Sequence, residues 1–356
     1  MSNETFASTS LTYQNYLLHS VYAAQGLFVG ASNLLLAIAI LRFEALRSSN
    51  HYLLIAAQST ADFLNMSAYV AAGIDRIVLT SSRRLKESTT VWSCMLAPHR
   101  LLWGLAGDRL CSLIQLLIAV DRLLSVSFPL EYLGWGSAYP IILTALAYLC
   151  TFVMGGLGLY LVSSKGDQLV SVKCTSKSVK KAGKLYVSYY QSSAQVYTLI
   201  SLWVYLLVVV MYRKKVERNV GGAGEEKQRE RQVQKERRFT QSLMINCAAS
   251  IVFYLIPYSL GHLAHRLGRS SELASLSFVI SNLYPMCDVL IYSTRHPEIV
   301  SAIGALLKCK TMPTDLKQWA KNDQAKSTWA QASNKSVGSK KASVTVGANQ
   351  QLEEVD

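Results

Sequence analysis

The run LISLWVYLLVVVM, residues 199–211, is apolar on every side of a helix. A helix in water keeps a polar face, so this segment must be solvated by lipid or enclosed by protein. LLLAIAIL, residues 34–41, reads the same way. Working outward from these two, seven apolar stretches of about 20 residues follow one another, which is the length that spans a bilayer core. They are Leu18 to Leu41, Tyr52 to Ile74, Leu96 to Phe128, Ala138 to Val162, Ser192 to Tyr212, Phe239 to Ala264 and Leu273 to Tyr292. The pattern predicts an all-α membrane protein, a seven-transmembrane helix bundle. With 51% hydrophobic and 16% charged residues in 356, the composition leans the same way and away from a soluble domain.

Lys and Arg in short connectors set orientation, because positive loops stay cytoplasmic. The segment to Leu17 has none, and the second, fourth and sixth connectors hold about 12. The first, third and fifth connectors and the carboxyl tail hold about 22. The amino terminus is therefore expected outside and the carboxyl terminus in the cytoplasm of a plasma-membrane protein. Asn3-Glu4-Thr5 is a glycosylation acceptor on the outer side, whereas the acceptor patterns at Asn65 and Asn334 lie in a span and in the cytoplasmic tail. The first 17 residues show no cleavable leader. The net charge of +14 is partly the ordinary cytoplasmic bias and calls for no nucleic acid. Three parts result: an outer tail over 1–17, a receptor-like body over 18–310, and a cytoplasmic tail over 311–356.

Gly221, Gly222 and Gly224 end the fifth stretch, and a run of Glu, Lys, Arg and Gln leads into Phe239, a soluble loop whose end extends the next helix. After the seventh stretch, Pro297 can open a helix. Ile299, Ile303, Leu306 and Leu307 recur at helical spacing, which predicts a short amphipathic helix on the inner leaflet. Cys309 between two lysines reads equally as a palmitoylation site or a free thiol. Beyond Lys310 the polar composition predicts disorder. Ser327, Ser333, Ser336 and their neighbours are candidate phosphorylation sites. The terminal Glu-Glu-Val-Asp is a weak match to a chaperone tail motif.

Ionisable groups at membrane depth are costly and mark function. Here they are Asp62, the Asp108-Arg109 pair, the Asp121-Arg122 pair and Asp288, with Asn33 and Asn282 adding neutral polarity. Asp121-Arg122 closes a span just before Phe128-Pro129 and Tyr132. It reads either as a simple interfacial ion pair or as a switch whose guanidinium trades partners. Adjacent helical residues point about 100 degrees apart, so Asp108 and Arg109 are expected to pair with other helices.

These residues form a familiar set. Asn33, Leu46-Arg47, Leu53-Leu54-Ile55-Ala56 with Asp62, Asp121-Arg122-Leu123 before Phe128-Pro129-Leu130-Glu131-Tyr132, and Tyr292 resemble rhodopsin-like G-protein-coupled receptors. The resemblance is closest to the nematode serpentine chemoreceptors of the Srsx class and covers roughly Gly30 to Lys310. It implies a receptor that binds an extracellular small molecule or peptide between the outer halves of its helices and couples to a heterotrimeric G protein, with arrestin at a phosphorylated tail. It further implies an activation switch of Asp121, Arg122, Tyr205, Asp288 and Tyr292, and a polar network or sodium site of Asn33, Asp62 and Asp288. A disulfide between Cys94 and Cys174 and a ligand site drawn from Gly104, Asp108, Tyr197, Tyr258 and Asn282 complete the set.

Several residues depart from that pattern. Val289 stands where a proline follows the seventh-span acid, and Pro285 precedes it, so the kink must move. Cys94 lies three residues further than usual from Arg122, so either a short insertion follows it or the helix starts later, after Pro98. Leu255 replaces a tryptophan, and Arg237 stands where an acid would make a cytoplasmic lock, with Glu236 one position off. Gly104 occupies the position of the amine-receptor aspartate, which leaves an aminergic assignment unsupported. No lysine between Glu272 and Pro297 can form a retinal Schiff base.

Lys173, Lys177, Lys180, Lys181 and Lys184 make the second outer loop cationic, and Tyr186, Tyr189, Tyr190 and Tyr197 suit an interfacial belt or a pocket. A carrier using Asp62, Asp108 and Asp288 is the alternative function, against which stands the lack of repeated halves. No cluster of catalytic or metal-binding spacing appears, so no enzyme is expected; His262 and His265 lie near an outer end. Gly26-x-x-x-Gly30 is a helix-packing motif.

Overall fold

The computed structural model describes residues 2–105, 107–136, 138–174, 184–219, 244–266, 276–277 and 279–309, with backbone only at 2–15, 86, 129–130, 133, 184–191, 215–219, 262 and 264–266. The loop around Glu236 and Arg237, Lys177 to Lys181 and the tail from Lys310 lie outside the described residues.

The helices are α1 (Ser2–Arg42), α2 (Glu44–Arg47), α3 (Asn50–Ser81), α4 (Val91–Leu96), α5 (Pro98–Leu105), α6 (Gly107–Ser127), α7 (Pro129–Gly134), α8 (Ala138–Ser163) and α9 (Lys184–Asn219). They continue with α10 over 244–266, α11 (Tyr284–Arg295), preceded by helical residues at 276–277 and 279–281, and α12 (Pro297–Leu307). Within the expected outer tail over 1–17, the helix of the first span runs back to Ser2. No Pro or Gly precedes Gly26 to stop it.

Polarity runs opposite to that of a soluble bundle. Asn33, Asp62, Gln115, Asp121 and Asp288 are buried, while Phe28 is 64% and Trp203 73% exposed, together with Leu206, Val210, Ile142 and Leu149. In water such a surface would be a large aggregation-prone patch; in a bilayer it faces the acyl chains. Five segments are long and apolar enough to cross: Tyr16–Arg42, Pro98–Ser127, Ala138–Ser163, Ser192–Lys214 and Met244–Gly261. α3 matches them in length, but Gln58, Asp62, Asn65, Asp75 and Arg76 lower its hydropathy. The seventh stretch is broken at Asn282-Leu283.

α1 and α3 approach closely through glycine. A Cβ on Gly26 would lie 2.9 Å from the Met66 carbonyl oxygen, one on Gly30 3.2 Å from Met66 Cβ, and one on Gly73 2.8 Å from the His19 carbonyl oxygen. The Gly26-x-x-x-Gly30 motif thus serves a contact within the chain.

Cys94 and Cys174 form the expected disulfide, with Cα atoms 5.3 Å apart. Of the two alternatives raised by the sequence, the structure shows the later helix start. Cys94 sits on its own short helix, α4, and the long third element starts after it at Pro98. The bond is packed among Val91, Met95, Val162 and Val170. Beside it, β1 (Ser88–Thr90) pairs antiparallel with β2 (Leu169–Ser171), Thr89 opposite Val170. The Thr90 hydroxyl caps α4 by accepting from the Ser93 N–H at 3.1 Å.

Two proline sites shape the remainder. Pro257 lacks the N–H that would reach the Phe253 carbonyl, and α10 widens into a π-helical turn over Ser250–Leu255 just ahead of it. In the seventh stretch a turn at Asn282-Leu283 restarts the chain as α11, with Pro285 inside its first turn; the expected displacement of the kink is this break. α12 then lays Ile299, Ala302 and Ala305 against Leu36, Ile40, Ile55 and Tyr292, with Ile303 and Leu306 at the margin. Leu307, at the helix end, is 68% exposed rather than packed against the bundle.

Candidate functional site

Helical spacing builds the interior. Asp62, Asn65, Met66 and Tyr69 share one face of α3, and Asp108, Cys111, Ser112 and Gln115 share one face of α6. The two faces enclose a cavity of about 30 Å³, closed by Tyr254 and Tyr258 of α10 and by Asn282, Tyr284 and Pro285. That volume holds about two water molecules. The Asn65 amide donates to Asp108 Oδ1 at 2.9 Å, and Gln58 donates to both oxygens of Asp62 at 3.1 and 3.2 Å. Asp288, 2% exposed, lies close to Asp62 and Tyr284. Asn33 sits apart from the cavity lining. Its Nδ2 donates to the Val29 carbonyl at 3.0 Å and to the Pro285 carbonyl at 3.3 Å, tying α1 to the restart of α11.

A chain of hydrogen bonds leads from the cavity across the bundle. Gln115 Nε2 donates to Ser250 Oγ at 2.9 Å. Ser250 Oγ, on the π-helical turn, donates to the Asn246 carbonyl at 2.9 Å, and the Tyr284 hydroxyl donates to Asn246 Oδ1 at 3.2 Å. The Tyr205 hydroxyl donates to the Gln115 carbonyl at 3.5 Å, while its ring packs on Ala119 and Cys247. Four elements, α6, α9, α10 and α11, therefore share one buried polar network.

Two turns further along α6, Arg122 is ion-paired with the fully buried Asp121. Tyr132 of α7 locks the pair. Its hydroxyl donates to Asp121 Oδ1 at 3.0 Å and accepts from Arg122 Nη2 at 3.4 Å. Burial holds the Tyr132 phenol well above its ordinary pKa, so it stays a neutral donor at physiological pH. Tyr292 is buried among Leu36, Ile40 and Ile299 where α11 meets α12.

Residues 27–289 match the family model described as the serpentine type seven-transmembrane G-protein-coupled chemoreceptor Srsx. The chain belongs to the Srsx family. No curated protein matches it. An Srsx chain is a multi-pass chemosensory receptor with a ligand and a G protein as partners, and its class is not one of enzymes.

Within this Srsx receptor, Asp108, Tyr258 and Asn282 of the expected ligand residues line the cavity. Gly104 does not. It packs on α8, where a Cβ on Gly155 would lie 2.7 Å from the Gly104 carbonyl oxygen. Tyr197 is outside the lining as well, and its neighbour Thr198 points inward, donating to Ser112 Oγ at 3.1 Å. Arg109 turns away from Asp108, as helical geometry requires, and donates to the carbonyls of Gly104 and Thr151 at 3.2 and 3.3 Å. Of the expected switch residues, Asp121 and Arg122 meet each other, and Tyr205, Asp288 and Tyr292 are all buried within electrostatic reach of one another, with both tyrosines in reach of Arg122 as well. Gln115, Ser250, Asn246 and the clamp by Tyr132 were not singled out from the sequence.

Replacing Tyr132 by Phe removes the donor to Asp121 and leaves the packing in place. Basal nucleotide exchange on the G protein is expected to rise about 3–10-fold, the worth of about 1 kcal/mol of net hydrogen bonding. An unchanged basal rate at equal receptor density would show that Tyr132 does not hold the pair.

Proposed function

We propose that this Srsx receptor resides in the plasma membrane with its amino terminus outside, takes a small polar molecule into the Asp108 cavity, and signals through release of Arg122 from Asp121. The observation that carries this reading is the continuous polar path from the cavity through Gln115, Ser250, Asn246 and Tyr284. A ligand that reorients Gln115 shifts the π-helical turn of α10, the element able to move relative to α6 and uncover the Arg122 end. The depth and size of the cavity favour a small molecule over a peptide.

The polar network also fits a sodium ion, because Asn33 Oδ1 is buried without a donor among the described residues and Asp62 and Asp288 supply acceptor oxygens. Such an ion would be held by those three residues and offset one unit of negative charge between Asp62 and Asp288. Asn3 would carry the glycan outside, and the phosphorylated tail would recruit arrestin.

The test is nucleotide exchange by a heterotrimeric G protein in vesicles containing the full-length receptor, screened against small polar molecules. An active compound is expected, and Gln115→Leu should reduce its maximal effect about 10-fold while its binding changes less. Equal responses from Gln115→Leu and wild type would break the proposed path. Epitope tags at the two ends, read in intact and permeabilised cells, check the sidedness.

A further inference from the structure

The cavity has acceptors and no cation of its own. Asp62 and Asp108 line it, and no lysine or arginine does among the described residues. Arg109 is turned toward the Gly104 and Thr151 carbonyls, and Arg122 is held by Asp121. A second feature is independent of the acids. Asn65 is 3% exposed, its Nδ2 is used on Asp108, and its Oδ1 has no donor among the described residues although the side chain lines the cavity. The amide orientation is fixed by chemistry, since only the nitrogen end can face a carboxylate. A buried acceptor left over in this way wants a donor. The third feature is aromatic. Tyr69, Tyr254 and Tyr258 line the same space, with the rings of Tyr254 and Tyr258 stacked 5.7 Å apart, and ring faces attract cations.

We propose that the ligand carries a primary ammonium group, seated on the Asp108 carboxylate and Asn65 Oδ1 among the rings of Tyr69, Tyr254 and Tyr258. The inference rests on the reading of this cavity as the ligand site. An –NH3+ head has three donors. Asp108 and Asn65 receive two, and Ser281 and Asn282 stand in the lining for the third. Size narrows the class. A volume of about 30 Å³ matches an ammonium head that displaces about two waters, whereas a trimethylammonium is bulkier and has no hydrogen to give Asn65. Asp108 opens α6 and lines the cavity, whereas Gly104 on α5 does not, so the amine is seated from α6 rather than at the position of Gly104.

The experiment is thermal unfolding of the full-length receptor in lipid nanodiscs with n-butylammonium, butyltrimethylammonium or n-butanol, and with sodium against potassium chloride. Butylammonium is expected to raise the midpoint by about 2–4 °C, and the other two organic probes to leave it unchanged. Asp108→Asn and, separately, Asn65→Ala should weaken the butylammonium effect at least about 30-fold in apparent affinity. Cys150→Ser, at an exposed position outside the cavity and the switch, should retain it in full. The proposal is overturned if all three organic probes act alike, if none acts, if the shift survives in both cavity variants, or if sodium alone reproduces it. Failure of the underlying reading looks different. In that case butylammonium stabilises the wild type, yet no compound drives nucleotide exchange. If other polar molecules drive exchange and amines do not bind, the ligand class falls and the receptor reading stands.

Discussion

Arg122→Ala is expected to lower ligand-driven nucleotide exchange about 100-fold, to the level of receptor-free vesicles, while folded receptor still reaches the membrane. Arg122 is 8% exposed and its guanidinium is held by Asp121 and Tyr132. Truncating one partner of a buried charge pair ordinarily destabilises the fold, because the other charge is left alone. Here Asp121 keeps the Tyr132 hydroxyl as a donor at 3.0 Å, so the structural cost is softened. The guanidinium itself has no substitute. It is permanently charged, presents a planar fork of donors, and is the group able to exchange Asp121 for carbonyls of an incoming partner. A desolvated contact of that kind is worth about 2–5 kcal/mol, from which the fold-loss follows. Exchange is measured at equal amounts of tagged receptor, and wild-type exchange by this variant would remove Arg122 from the mechanism. Asp121→Asn works in the opposite direction. It frees the guanidinium and should raise the basal rate, so the two variants together separate a switch from a merely structural ion pair.

The sequence showed the bundle because apolar runs such as 34–41 and 199–211 admit one solvent, and it showed the Asp121-Arg122 pair because buried charge is rare. Pro285 announced a displaced break for the same kind of reason, since a proline cannot continue the ladder wherever it falls. What stayed hidden depended on helix rotation and on contacts between distant residues. Gly104 and Asp108 are four apart and would share a face on one helix. They stand on α5 and α6 respectively, and a phase counted straight through does not hold. Tyr197 and Thr198 differ by one residue, a rotation of about 100 degrees, which is finer than the eye reads from apolar periodicity in a stretch that is apolar nearly all round. The bond from Gln115 to Ser250 joins residues 135 positions apart. Neither carries a charge to draw attention, and the π-helical turn that aims Ser250 follows from Pro257 only once the neighbouring helices are in place. Tyr132 was visible as part of a motif, but its role as a clamp needed the short α7 to fold back under α6.

Removing the disulfide is expected to be the largest single loss of stability. Cys94 and Cys174 are 80 residues apart in sequence, and closing a loop of that length restricts the unfolded chain by about 4 kcal/mol. The bond also holds β1 against β2, since Val170, opposite Thr89, packs in the same buried cluster as the two cysteines. Cys94→Ser should lower the unfolding midpoint by roughly 5–10 °C and reduce the amount of receptor at the cell surface. Cys174→Ser and the double variant should match it closely. Loss of one bond predicts equal effects, whereas loss of two separately useful thiols predicts additive ones. Cys150→Ser, at an exposed position with a free thiol, is the control and should leave the midpoint unchanged. A Cys94→Ser receptor melting within about 1 °C of wild type would mean that the hairpin and the α4 packing hold this end unaided. In that case this end would be held by hydrogen bonds such as Val91 N–H to the Gln168 carbonyl at 2.9 Å rather than by the covalent tie.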